Sequence, residues 1–200
     1  VGGILADVPL KDKIAEELKV ELDDKLRGFH TRVHALTGDD NFSPNPKSPK
    51  QLGELFFNYL GLVGRGSSTN KDNRQRMLDN VRTTPEQREL LTHLDDYLKE
   101  QKFYSTYATQ KVDPDGRIRC EYKQFGVQSA PGRLSSSKVM WGSGMNLQNQ
   151  PHRAYPMFVC DDGYMFSYFD LKQAEAKVVA YLWNVQGLIE NFERAETEDG

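Results

Sequence analysis

The sequence predicts an α+β fold: long antiparallel helices in the first half, then part of an antiparallel sheet followed by a helix. Three observations carry this. Leu10, Ile14, Leu18, Leu22, Leu26 and Val33 fall on one narrow stripe of a long amphipathic helix over 10–36. Thr84-Pro85-Glu86-Gln87 has the form of a capping box with proline at the first helical position. It opens a second long helix over 85–108, carrying Leu90, Leu91, Leu94 and Leu98. After Lys111 the period changes: Asp113-Pro114-Asp115-Gly116 is a turn signature, and Ile118, Cys120 and Tyr122 alternate with charged neighbours as a half-buried strand does.

The elements between and beyond these follow in order. Ser48-Pro49-Lys50-Gln51 is another capping box, opening a short helix with Leu52, Leu55, Phe56 and Tyr59 inward and Gly61 near its end. Residues 64–73 are small, polar and basic, and read as an exposed, mobile tip between helices. Residues 126–144, with Gly, Ser and Pro throughout, read as loop. A second strand over 164–169, rich in aromatics, is entered through the Asp161-Asp162-Gly163 turn and ends in Asp170. A helix follows over 172–184 on Ala174, Val178, Tyr181 and Leu182, and the polar residues 193–200 are expected to fray. The boundary is placed near 111, giving a helical domain over 1–111 and a sheet-forming part over 112–200.

At 200 residues and 38% hydrophobic content the chain is long and apolar enough to bury a core. No apolar stretch approaches the roughly 20 residues that cross a bilayer, and no signal peptide is evident, so an intracellular protein without a membrane partner is expected. Cys120 and Cys160 make neither a metal-ligand spacing nor a disulfide framework and are read as reduced thiols. The net charge of −3 is unevenly spread. Lys and Arg against Asp and Glu stand at 8 to 10 over residues 1–64, 15 to 10 over 65–153, and 3 to 9 over 154–200. A basic middle suits a phosphate backbone; an acidic end suits divalent cations or solvent.

A carboxylate at a strand end immediately before a helix is presented to a cleft with the backbone held on both sides. Asp170 is so placed, and its plain structural alternative is a helix N-cap. The surrounding pattern decides between them. Asp170-Leu171-Lys172-Gln173-Ala174-Glu175-Ala176-Lys177 resembles the Asp-x-x-Gln-x-Glu-x-Arg motif A of family A DNA polymerases. Upstream, Gly132-Arg133-Leu134-Ser135-Ser136 and Asn146-Leu147-Gln148-Asn149 before Pro151 resemble the motifs that precede it there. Asp113-Pro114-Asp115-Gly116-Arg117-Ile118, Ser105-Thr106-Tyr107 and Ser48-Pro49-Lys50-Gln51-Leu52-Gly53 extend the likeness over nearly the whole chain. It implies a thumb over 1–111 and the N-terminal part of a palm over 112–200.

The resemblance also implies roles. Asp170 would be the catalytic carboxylate, holding two Mg²⁺ ions together with the backbone carbonyl of Leu171, since Mg²⁺ prefers hard oxygen ligands. Gln173 and Glu175 would bind the incoming dNTP, Glu175 beneath its sugar where it leaves no room for a 2′-hydroxyl. Arg133, Gln148 and Asn149 would contact primer–template DNA, and Lys102, Ser105, Thr106 and Tyr107 would grip the duplex through its backbone and minor groove. Such contacts position a duplex without reading its sequence. A cytoplasmic location, in a bacterium or a phage-infected cell, is implied too.

Departures point to a divergent, phage-like lineage: Lys177 for the usual Arg, Leu171-Lys172 for Tyr-Ser, Pro131 for Thr, extra residues over 138–145 and a short 153–158 segment. The fingers helix and the His-Asp-Glu turn that carries the second carboxylate have no counterpart in the sequence. The chain is therefore expected to be an excised piece or a split subunit, completed by the C-terminal half of the polymerase and unable by itself to extend a primer. The competing reading is a non-catalytic module that binds duplex DNA.

Overall fold

The computed structural model describes residues 2–123, 134–137, 144–167 and 173–198, with side chains described as far as Ala195. Its residues cluster into two compact units, Val1–Cys160 and Asp161–Gly200.

The first unit begins with strand β1, Ile4–Ala6, and runs into helix α1, Val8–Thr37. Asp7 caps α1 by accepting a hydrogen bond from the Leu10 amide at 3.0 Å, and Gly38 ends it at φ 69°, donating to the His34 carbonyl. Helix α2, Pro49–Gly53, passes into a wide π-helical turn over Glu54–Tyr59. Helix α3 spans Lys71–Asp79 and helix α4 Pro85–Phe103. The Thr84 capping box forms in full. At Ser48 only half of the expected box exists: its hydroxyl accepts from Gln51, but the Gln51 side chain turns away to the Asn45 amide at 2.6 Å.

Helices α1 and α4 are antiparallel, as Arg32 pairs with Glu89 and His93 bonds the Lys25 carbonyl further back. Gly28 lets them close, because a Cβ there would stand 3.3 Å from the His93 ring. The core between them holds Phe29, Val33, Leu52, Leu55, Phe56, Leu62, Met77, Leu90, Leu91 and Leu94. Each large side chain buried here contributes about 1.5–3 kcal/mol. Tyr59, expected inward, is exposed instead, stacking on Phe42 at 4.5 Å and donating to Asp39, because the wide turn rotates it off the buried stripe.

Most of the 64–73 segment is exposed, as expected of a tip between helices. Asn73 and Arg74 are buried on α3 and tie it down: Asn73 bonds the Arg65 amide and the Ser68 carbonyl, and Arg74 bonds the Thr69 carbonyl and Asp95. Gly64 is required by this packing, since a Cβ there would come within 2.6 Å of the Asn73 amide.

The first unit runs on past the boundary expected at 111. β1 is the central strand of a small antiparallel sheet, pairing with β2, Arg117–Ile118, on one side and β5, Phe158–Val159, on the other. Residues 4–6 thereby bind the sheet to the helices. The single strand expected through Tyr122 is broken after Ile118. β3, Glu121–Lys123, pairs with β4, Ser135–Ser137, in a separate ribbon that leaves Tyr122 exposed.

Between the two strands Arg119 pairs with Asp113 and Asp115. Hydrogen bonds from its guanidinium hold the Asp115 carboxyl at about 2. This ion pair therefore stabilises the fold fully above the ordinary aspartate value near 4 and loses its contribution as pH falls toward 2. Arg119→Gln should lower the urea midpoint near neutral pH, and the gap to the parent chain should close across that acid window. A gap that stays constant would show that Asp115 draws nothing from Arg119.

In the second unit, α5, Ala174–Leu182, and α6, Gln186–Glu198, form a hairpin with Ala180 and Ile189 buried. Lys177 lies over the Phe192 ring at 6.0 Å, and the Tyr181 hydroxyl donates to Glu193. Helix α6 takes in residues 193–198 of the polar tail. Of the strand expected over 164–169, the described residues 164–167 are neither strand nor helix and expose Tyr164, Met165 and Phe166. A strand exists only by pairing, and among the described residues nothing pairs with them. No helix among the described residues is long and apolar enough to cross a membrane.

Candidate nucleic-acid interface

Helix α4 ends where its hydrogen bonding widens into a π-helical turn over Tyr104–Ala108, a local irregularity common at functional positions. This turn offers Ser105 and Thr106 to solvent beside exposed Lys102, while Tyr107 is half-buried. The Ser105 hydroxyl donates to the Lys102 carbonyl, and Phe103 packs on Tyr107 with ring centroids 5.5 Å apart. Tyr107 reaches outward: its hydroxyl donates to the Asn149 carbonyl at 3.1 Å.

Asn149 closes a single 3₁₀ turn over Leu147–Asn149, capped by Asn146, whose side chain accepts from the Gln148 amide. Ser136 joins this turn to the preceding motif. Its hydroxyl donates to Asn146 Oδ1 at 2.9 Å and accepts from the Leu147 amide at 2.9 Å. The Gln148 side chain donates to the Leu134 carbonyl, and Gln110 to that of Gly144. Three stretches separated in sequence, around 102–107, 134–136 and 146–149, are thus brought together. Exposed amides, hydroxyls and one ammonium face solvent there, groups that meet phosphate and sugar oxygens without choosing a base.

Lys102, Ser105, Thr106, Tyr107, Gln148 and Asn149 therefore share one region of the first unit. Gln148 is engaged there in holding β4, with its side-chain oxygen left to accept. Gln173 and Glu175 lie in the second unit. Gln173 precedes α5 in the left-handed region at φ 56°, a strained conformation for a non-glycine residue, and Glu175 is exposed on the first turn of that helix. Arg133, Asp170 and Leu171 lie outside the described residues. Among the described residues no group of three or more His, Cys, Asp or Glu is placed to hold a metal ion. The donors expected for Mg²⁺, one carboxylate and one carbonyl, are hard oxygens and fit that ion in kind.

Sequence reasoning passed over Ser136, Asn146, Glu100 and Arg153. The first two stand inside the quoted motifs, but a hydroxyl that bonds another motif leaves no periodic signal.

The family model for DNA polymerase family A matches residues 12–199. Over 98% of its length the chain is 31% identical to DNA polymerase I of Mycobacterium bovis, and over 90% it is 32% identical to the thermostable DNA polymerase I of Thermus filiformis, covering 21% of each. It is 31% identical to a DNA polymerase of Escherichia phage T5, with 76% of this chain and 18% of that protein covered. Among solved structures it resembles the POL domain of Pol1 from M. smegmatis in complex with DNA primer–template and dNTP. There the TM-score is 0.59 at 25% identity, over 82% of this chain and 28% of the other. The chain spans about a fifth of the length of the curated relatives it matches.

Proposed function

Because the chain belongs to DNA polymerase family A, we propose that it is the thumb and leading palm segment of a template-dependent DNA polymerase. The observation that carries this reading is the convergence of the 102–107, 134–136 and 146–149 stretches on one polar surface of the first unit.

In this reading Lys102, Ser105, Thr106 and Tyr107 hold the duplex by its backbone, with Gln148 and Asn149 beside them along the nascent pairs and Arg133 toward the primer terminus. Asp170 and the Leu171 carbonyl hold Mg²⁺, and Gln173 and Glu175 line the place of the incoming dNTP. Bound there, Mg²⁺ supplies positive charge for the transferring phosphoryl group and the attacking hydroxyl. Asp170 would supply anionic oxygens for that ion, and Glu175 would exclude a 2′-hydroxyl by bulk. The fingers and the rest of the palm come from the remainder of the polymerase.

Duplex binding by the chain, followed by fluorescence anisotropy, tests the thumb assignment. Affinity should be alike for unrelated sequences, and its logarithm should fall linearly with log salt, by about 0.9 per phosphate engaged. Affinity that ignores salt, or is confined to one sequence, would count against the assignment.

A further inference from the structure

We infer that Glu100, Arg153 and Phe103 form a brace that sets the spacing of the duplex-binding surface, with Arg153 a positioning residue and not itself a phosphate ligand. The inference rests on the duplex-binding reading above and adds to it the device that holds the surface in register.

Arg153 lies on the irregular helical turn His152–Met157, directly after the motif that supplies Gln148 and Asn149. Its guanidinium sits 4.7 Å from the centre of the Phe103 ring, and the same group bonds the Glu100 carboxylate. Glu100 is only 15% exposed, so its charge is largely withdrawn from water and needs this partner. Both Glu100 and Phe103 lie on the last turns of α4. Phe103 also packs on Tyr107, whose hydroxyl returns to Asn149. Two links therefore join two consecutive stretches of chain, 100–107 and 149–153: Glu100 and Phe103 on the end of α4 to Arg153, and Tyr107 on the following π-helical turn to Asn149. A single link leaves a hinge; two fix an angle.

The ion pair of the brace is separate from what folds this part of the chain; only the Phe103 ring belongs to both. The 152–157 turn is already anchored by Ala154 and Met157, buried in a cluster with Leu18, Phe103 and Ala108. Removing the Arg153 guanidinium leaves that cluster filled, so its effect should be on register and not on folding. A flat cation is required, since Arg stacks on a ring while bonding a carboxylate in its plane and Lys does not.

The test uses the 200-residue chain, a short DNA duplex of mixed sequence, and the variants Glu100→Gln, Arg153→Lys and the two combined. Each single variant should weaken binding about five- to tenfold, the pair no more than either alone, because one brace is lost in every case. The salt slope should stay that of the parent chain. Tighter or unchanged binding in Glu100→Gln overturns the proposal, and so does a salt slope reduced by about one in a further variant, Arg153→Ala, which removes the cation and would show Arg153 to be a phosphate ligand. Amide hydrogen exchange gives a readout that needs no DNA. In Glu100→Gln it should quicken at both 104–108 and 147–149 while the melting transition stays in place. Unchanged exchange sinks the brace whatever the DNA does, whereas quickened exchange in a chain that binds no duplex sinks only the duplex-binding reading.

Discussion

In a polymerase completed by its fingers and remaining palm, Asp170→Asn should remove nearly all primer extension while leaving the fold and duplex binding intact. Asn keeps the shape of the side chain and loses the charge that two Mg²⁺ ions require, and forfeiting several kcal/mol of charge stabilisation lowers the rate by about a thousandfold. An N-cap role gives the opposite result. Asn caps a helix about as well as Asp, so the substitution would then be silent, and only Ala would cost about 1 kcal/mol of stability. Single-turnover incorporation of one deoxynucleotide distinguishes the two. Glu175→Ala is the partner variant: with the longer side chain gone, a ribonucleotide should be accepted more readily relative to the deoxynucleotide. Full activity in Asp170→Asn, or unchanged sugar selectivity in Glu175→Ala, would return those residues to structural roles.

Phe29→Ala should destabilise the first unit by about 3–5 kcal/mol, the range expected for truncating a fully buried phenylalanine. Phe29 is fully buried and packs in the cluster that joins α1 to α4 and to the π-helical turn after α2. It follows Gly28, where a Cβ would already stand 3.3 Å from the His93 ring of α4, so the cavity left behind cannot collapse without moving a helix. Tyr59→Phe is the control. That ring is exposed and its hydroxyl bonds only Asp39, so the change should fall within about 0.5 kcal/mol. Urea unfolding followed by circular dichroism measures both. A shift in Phe29→Ala no larger than in the control would mean that the helices close elsewhere.

Helices were the most legible part of the chain, because caps and leucine spacing are local. The Thr84 box, the run Leu90, Leu91, Leu94 and the course of α1 all stand where neighbouring residues place them. Even there, the stripe read from Leu10 to Val33 passed over Phe29, since burial depends on what a partner helix brings and not on period alone. Wide turns were illegible for a similar reason. At Glu54–Tyr59 and Tyr104–Ala108 a chain that reads as ordinary helix adds a residue to its turn, rotating Tyr59 outward and presenting Ser105 and Thr106.

Sheets were legible only in outline. The Asp113 turn and the strand after it were visible, but a strand's partner lies far away in sequence, and nothing local says that Ile4–Ala6 belongs between Arg117–Ile118 and Phe158–Val159. That pairing carries residues 4–6 across position 111.

The sequence by itself determined the family, through motifs whose order and spacing chemistry constrains. Tertiary structure alone decided how those motifs meet: Ser136 on Asn146, Tyr107 on Asn149, Arg153 between Glu100 and Phe103. Each is a contact between groups that are strangers in sequence. Hydrogen bonds and stacked rings act over a few ångströms in space, and no pattern along the chain records which distant residue will arrive within that reach.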